Sequence, residues 1–469
     1  MSTHQEITAL VGDQIGNDPE IRSLVEQLSR RVEQLTTQIR EVKGPQPSCR
    51  EVGQAWVERT GKIRGRPLHY QFVGSGAGRS SLVELMDGSV KIDLINGIGI
   101  HLFGHSFTPA IREGILGAIS DVVNQGNLEP NREYTLMLEK LVSMASRGSR
   151  IKYGWLATCG TMANESALKI ARQKKSPARM ILAFQNAFAG RSTLMAEITD
   201  NPAFREGLPE YHEVLRLPWY DYRDPSSSEK TLRVLKEHVE KHPNNICVFV
   251  FEPMLGEGGY MPAPREFFLP LLEFCRSQKI PIWLDEVQTF CRTGEAFAFQ
   301  KLGLGEFVDI VTVAKTAQVG ATLYTEEYNP KPGLIAGTFS GSSAALRSGL
   351  AILNEIDNGT YFGPGGKIEK IHQFFVGELK RLQEGSCRGK IADVTGLGLM
   401  VAFTPLDGKK ETVNALLQKM FEKGVIAFSC GKNPVRIRFL LPALISEWEM
   451  SAAIKIIEQA LIEGVHGAT

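Results

Sequence analysis

The sequence predicts an α/β fold: a mainly parallel sheet, accompanied by a second, smaller α+β domain. Three observations carry that expectation. Strand-like and helix-like segments alternate from about residue 150 to residue 315. The strand-like runs are apolar almost throughout, as in strands covered on both faces, rather than alternating with polar residues. The 469 residues also exceed the length at which single cores usually stop growing, so more than one domain is expected.

Taken in order, the first element is a helix. Ile21, Val25, Leu28, Val32, Leu35, Ile39 and Val42 recur at alternating steps of four and three, which predicts one amphipathic helix over 18–43. It ends at "GPQPS" and lies either on its own domain or against a partner subunit. "SLVELMDGSVKIDLI" reads as a hairpin turning at Asp87-Gly88. "TPAIREGILGAISDVV" has helical spacing. The alternation then runs "WLAT", helix "NESALKIARQ", "RMILAF", a long polar loop, helix "KTLRVLKEHVEKH", "ICVFVF", helix "REFFLPLLEFCRSQ", "IPIWL" and "DIVTVA". A long helical stretch follows residue 345, then "IADVTGLGLMVAFT", "ETVNALLQKMFEKG", "VRIRFLL" and a closing helix, "SEWEMSAAIKIIEQAL". The expected division is an N-terminal helical extension (1–45), a first segment of the small domain (46–107), the large domain (108–345) and the rest of the small domain (346–469).

Composition excludes several classes. Apolar residues make up 43% and charged residues 22%, and 53 Lys+Arg against 52 Asp+Glu leave a net charge of +1. A nucleic-acid or membrane-surface protein would carry a basic bias, so neither partner is expected. Seven scattered cysteines, with no CxxC pair, read as free thiols, and no metal site is expected. No apolar run reaches the length of a membrane span. "MSTHQEITALVGDQ" lacks the charged start and apolar core of a signal peptide, so a cytoplasmic location is expected.

The chemistry sits where strands end. "DIVTVA" runs into Lys315, "ICVFVF" into Glu252, and "IPIWL" into Asp285 and Glu286. Open α/β sheets bind ligands in the crevice outside the carboxyl ends of their strands. "WLATCGTMANESALKIAR" adds a strand–Cys159-Gly160-Thr161–helix turn, where helix amides, the helix dipole and a threonine hydroxyl favour an anion. The turn lacks the G-K-[ST] of a P-loop and the GxGxxG of a dinucleotide site, so a small phosphomonoester is implied. Lysine, aspartate and a phosphate cradle on one edge suggest pyridoxal 5'-phosphate. A lysine amine forms a Schiff base with its aldehyde, and an aspartate keeps its ring nitrogen protonated.

These residues fall into a longer pattern. "IWLDEVQTFCRTGEAFAFQ" followed by "VDIVTVAK" places Asp285 and Lys315 thirty residues apart. With "GHSFTP", "CGTMANESALKIAR", "AFAGRST", "EPMLGEGG", "GTFSGS", "GLGLMVAF" and "VRIRFLLPAL", the chain resembles the class III (ω-amino acid type) aminotransferases of pyridoxal-phosphate fold type I over roughly residues 65–465. The resemblance implies that Lys315 carries the cofactor and shuttles the substrate proton, while Asp285 pairs with the ring nitrogen. It places Gln288 near the ring's phenolic oxygen, Phe188 on the ring face, and Gly160 and Thr161 at the phosphate, with Glu252 counted among the cofactor-facing residues. Thr338 would complete the phosphate site of a partner subunit, making a homodimer with a shared active site. Arg438 would take the substrate α-carboxylate in the two-pronged geometry that arginine suits. Glu257 would pair with Arg438 when an ω-amino donor is bound, and Arg191 would meet that donor's distal carboxylate.

The implied activity is transfer of the terminal amine of an ω-amino acid such as 4-aminobutyrate, lysine or ornithine to a 2-oxo acid such as 2-oxoglutarate. Some positions depart from the family pattern: Ala189, Cys159, Met162, Leu255, Phe290 and the segment "TAQVG" after Lys315. Because a scaffold does not fix which bond is cleaved, an aminomutase, racemase, decarboxylase or lyase stays open. A binding protein on the same fold, suggested by the heptad helix, is the remaining alternative.

Overall fold

The computed structural model describes residues 10–121 and 128–464. Its centre is a seven-stranded sheet: β1 (Ile151–Ala157), β2 (Met180–Phe184), β3 (Val214–Leu217), β4 (Ile246–Phe251), β5 (Ile282–Asp285), β6 (Ile310–Val313) and β7 (Gly320–Thr325). The order across the sheet is β1-β7-β6-β5-β4-β2-β3. Only β7 runs against its neighbours, antiparallel to both β1 and β6, so the other six point the same way. The sheet is mainly parallel, as the sequence predicts.

Every residue of β4, β5 and β6 is buried, which explains their unbroken apolar runs. Alternate side chains serve opposite layers. Leu182, Phe184, Phe249, Phe251, Ile282 and Leu284 join the main core, where they meet Phe267 and Phe268 of the helix Arg265–Ser277. Ile181, Ala183, Val248, Val250 and Trp283 face the other way, against Ala167, Leu168 and Ala171 of the helix Gly160–Lys175.

Two smaller sheets flank this unit. One orders Gly74–Arg79, Leu82–Leu85, Val90–Asp93 and Val425–Ile426, so early and late segments of the chain share it. The other is antiparallel: Ile391–Leu397, Met400–Pro405, Arg436–Leu440 and Phe428–Cys430. The Asp87-Gly88 hairpin forms as expected, between Leu82–Leu85 and Val90–Asp93.

Several elements differ from the sequence expectation. The N-terminal helix spans Pro19–Thr36 rather than 18–43, because Thr36 and Thr37 turn their hydroxyls back onto the carbonyls of Glu33 and Gln34. Ile39 and Val42 lie beyond it, and Ile39 joins the main core. Within the helix Val25 and Ser29 are buried, while Leu24 and Leu28 are 53% and 56% exposed, so only part of the apolar stripe is covered. The helix packs on Thr108–Ala118, and Glu26 pairs with Arg112 at 3.4 Å. The expected continuation of that second helix toward "SDVV" falls partly outside the described residues. Pro47–Ile63 is a further helix, opened by Pro47 at its first position. The long polar loop contains β3, and β7 lies in a stretch after Lys315 for which the sequence predicts no element.

All seven cysteines are free. Among the described residues no helix is long and apolar enough to cross a membrane, and no three His, Cys, Asp or Glu side chains gather as a metal-binding cluster.

Candidate active site

Strands β4, β5 and β6 are parallel neighbours, so Glu252, Asp285 and Lys315 emerge together at one edge of the sheet. The turn after β1 reaches the same edge. Between them lies a cavity of about 450 Å³. Lys315, Asp285 and Glu252 line it, as do Gly160, Thr161, Phe188, Gln288 and Glu257. The structure therefore gathers eight residues that the sequence nominates, drawn from five separate segments. A concave site of this size with convergent polar groups is typical of small-ligand pockets.

Burial governs its electrostatics. It pushes Asp285 up to about 6, against the opposing pull of the Val287 amide, the Asn164 amide and Lys315. Val287 N donates to Asp285 Oδ1 at 3.0 Å, and Asn164 Nδ2 donates to Oδ2 at 2.7 Å. Burial likewise brings the Lys315 amine down to about 8. Glu257 and Asp285 resist that fall, while Arg292 and Arg438 favour it. Glu252 is raised to about 8 by burial and by Asp285, yet it accepts from Phe188 N at 3.0 Å and Gly256 N at 2.9 Å. It thereby ties two loops of the pocket wall together. Glu286 turns away from the cavity and accepts from Thr289 Oγ1, Ala298 N and Phe299 N.

Arg438 stands behind Glu257, its Nη1 donating to Glu257 Oε1 at 2.6 Å. Arg436, two residues earlier, instead bonds the carbonyls of Gly259, Asp393 and Ala402. Besides Arg438, which reaches the cavity only through Glu257, two nominated residues lie outside it. Thr338 is exposed, and Arg191 is an exposed side chain whose guanidinium sits 4.0 Å from the centre of the Phe204 ring. Phe204 in turn meets Phe188 edge to face at 6.4 Å.

Three functional neighbours escaped the sequence reading. Asn164 lies one helical turn beyond Gly160 and donates both to Asp285 and, at 2.7 Å, to Ala189 O. That i, i+4 spacing is the signal that could have found it. Gln318, at φ 61, donates to Ile100 O and Lys315 O, both at 3.1 Å, joining the lysine's loop to residue 100. Arg292 is buried and donates to Gln288 O at 3.2 Å and to Gly99 O. Lys315 itself has φ 49, a left-handed backbone that only its surroundings can hold.

The arrangement fits a pyridine aldehyde bearing a phosphate. The helix Gly160–Lys175 begins without a side-chain cap at Cys159, leaving its first amides for an anion beside Thr161. Asn164 Oδ1 and Gln288 Oε1 are buried and have no hydrogen-bond partner among the described residues, so both are placed to serve a polar ring.

The family profile described as aminotransferase class-III matches residues 69–461. The chain belongs to the class III aminotransferases. Among its relatives in this family, the 2-aminoadipate transaminase of Pseudomonas putida is 30% identical over 405 residues, covering 82% of this chain and 95% of that protein. The 4-aminobutyrate aminotransferase of Mycobacterium leprae is 29% identical over 418 residues, covering 83% and 90%. The solved lysine aminotransferase of M. tuberculosis superposes with a TM-score of 0.76 at 22% identity, covering 86% of this chain and 98% of that one, which supports the fold. This class III aminotransferase depends on pyridoxal phosphate and takes an amino donor and a 2-oxo acid acceptor.

Proposed function

We propose that this aminotransferase moves the terminal amine of an ω-amino acid, of the 4-aminobutyrate, lysine or ornithine type, to a 2-oxo acid such as 2-oxoglutarate. The observation that carries the reading is the Arg438–Glu257 pair beside Lys315. An arginine that is neutralised by a movable glutamate can accept a substrate carboxylate in one half-reaction and withdraw in the other. The activities named for the Pseudomonas and Mycobacterium relatives support the same class.

When bound, pyridoxal phosphate supplies an aldehyde that condenses with amines and a ring that withdraws electrons from the attached carbon. The residues that would hold it are Asp285 at the ring nitrogen, Gln288 at the phenolic oxygen, Phe188 on the ring face, and Gly160 with Thr161 at the phosphate. Glu252 keeps Phe188 in place through its amide. With its amine near 8, Lys315 is partly neutral at physiological pH, and its Nζ can take a proton from the substrate carbon and would pass it to the cofactor's aldehyde-derived carbon rather than back to the substrate. Asn164 supports Asp285 in its ionised form.

Arg191 is the proposed partner of the donor's distal carboxylate, poised on Phe204 at the edge of the Phe188 ring. Thr338, exposed beside Phe339, is proposed to complete the phosphate site of a second copy in a homodimer. A cytoplasmic location and the division into an N-terminal extension (1–45), a large domain (108–345) and a small domain (46–107 with 346–469) belong to the same reading.

The test is an amino-donor panel (4-aminobutyrate, ornithine, N-acetylornithine, lysine and α-amino acids) with 2-oxoglutarate, run on wild-type enzyme and Lys315→Ala. Turnover with an ω-amino donor and its loss in the variant are expected. Preference for α-amino donors throughout, or turnover retained by Lys315→Ala, refutes the proposal.

A further inference from the structure

We propose that Tyr260 is a positioning residue for Arg438, holding the guanidinium in the arrangement that receives a substrate carboxylate. The inference rests on the reading of Arg438 and Glu257 given above. Tyr260 follows Glu257 by three residues in the loop "GEGGY". Its ring centre lies 5.8 Å from the guanidinium carbon of Arg438. Cation–ring contact at this range favours a guanidinium over the ring's face.

Two oddities meet at this residue. Tyr260 is fully buried, and its hydroxyl has no hydrogen-bond partner among the described residues. Its backbone also lies at φ 53, in a region where bulky side chains are strained. The strain is held by two backbone bonds: Tyr260 N donates to Leu255 O at 3.0 Å, and Thr395 Oγ1 donates to Tyr260 O at 2.9 Å. A phenylalanine would keep the ring and avoid burying an unpaired hydroxyl. The hydroxyl is therefore a burden in this state, and its use belongs to another.

Arg438 has the complementary deficit. Its Nη1 is taken by Glu257, while its Nε is buried without a partner. A guanidinium has five N–H donors, and a carboxylate bound fork to fork uses two of them. Once Glu257 yields to a substrate carboxylate, a guanidinium that shifts from the face of the Tyr260 ring toward its oxygen can donate a remaining N–H to it. Burial raises the phenol above its ordinary range, so it stays a neutral hydroxyl with lone pairs to offer. Glu257 thus favours the closed arrangement and Tyr260 the open one.

The test is Tyr260→Phe in the cofactor-loaded enzyme, with each half-reaction followed separately by cofactor absorbance. Binding of glutarate, an unreactive dicarboxylate, is measured in parallel by calorimetry. Glutarate binding and the 2-oxoglutarate half-reaction are expected to weaken about tenfold, the loss of one hydrogen bond to a charged group. The 4-aminobutyrate half-reaction should stay near wild type, and thermal stability should not fall. Wild-type glutarate affinity, or equal weakening of both half-reactions, overturns the proposal. Arg438→Gln separates the two readings. If that variant loses the acceptor reaction while Tyr260→Phe keeps it, only the role of Tyr260 fails. If Arg438→Gln keeps the acceptor reaction, the assignment of Arg438 fails as well.

Discussion

Replacing Asn164 by alanine tests how the site keeps its aspartate ionised. One buried amide group donates to Asp285 Oδ2 and to Ala189 O, both at 2.7 Å. A hydrogen bond to a carboxylate contributes about 1.5–3 kcal/mol, and a buried carbonyl left without its donor costs about 1–3 kcal/mol. The variant should therefore be less stable by a few kcal/mol, still folded, and should retain Val287 N as a donor to Asp285. The smaller figure for the carboxylate, about 1.5 kcal/mol, corresponds to about one pKa unit. Asp285, already near 6, would then titrate about one unit higher. If the cofactor ring binds only to ionised Asp285, apparent affinity scales with the ionised fraction. At pH 6 that fraction falls from about a half to about a tenth, whereas at pH 8 it barely changes. Titrating cofactor-free protein with pyridoxal phosphate at pH 6, 7 and 8 should show about fivefold weaker binding at the lowest pH, closing toward wild type at the highest. Weakening of equal size at all three values would refute the reasoning, since Asn164 would then act only through the Ala189 loop.

Other outcomes follow from the same geometry. The cofactor-free protein should lose stability as pH rises from about 5 to about 8, because Glu252 and Glu286 titrate near 8 and 7 when folded but near 4.3 when unfolded. Their contribution is complete below the unfolded value and is lost as pH passes the folded one. Calorimetry across that range checks the sign, and Glu252→Gln should flatten the slope. A β-carbon at Gly160 would stand 2.8 Å from Val287 Cγ1, a stiff side chain, so Gly160→Ala should cost about 1–3 kcal/mol by denaturant unfolding and weaken cofactor binding; an unchanged midpoint contradicts this. Gln318→Met removes the donors to Ile100 O and Lys315 O at similar volume. With the left-handed Lys315 less firmly held, kcat should fall about tenfold while the unfolding midpoint moves little, and a wild-type kcat would argue against that role for Gln318.

Much of the site was legible because its key residues interrupt apolar strands. Glu252, Asp285 and Lys315 stand out in sequence as charges at the ends of buried runs, and parallel pairing of β4, β5 and β6 brings them together. Asn164 gave no such signal, since a polar residue early in a helix looks like any solvent-facing one until its neighbours are known. Arg436 and Arg438 share a strand face, so alternation could not choose between them; the choice is made by Glu257 on one side and three carbonyls on the other. Heptad spacing located the N-terminal helix but not its end, which local threonine hydroxyls decide. Strand β7 was missed because "GATLYT" is too poor in large apolar residues to announce a buried strand, although all six of its residues are buried.

That overlooked strand governs when the enzyme becomes competent. Lys315 follows β6 and the phosphate turn follows β1, yet β1 and β6 are not neighbours: β7 lies between them. Its pairing sets Gly320 opposite Ala157 and Ala321 opposite Val313. The fit is close enough that a side chain at Gly320 would stand 2.5 Å from the Cys159 carbonyl. The pairing of Gly320 with Ala157 joins residues far apart along the chain and forms late, because a long loop must be closed before it repays its entropy. A ribosome-bound chain that ends before β7 already carries the aspartate, the lysine and the whole signature, and still has no cradle. Cofactor capture should therefore mark the closure of the central sheet, and a fragment library screened for it should yield nothing shorter than the chain that includes β7.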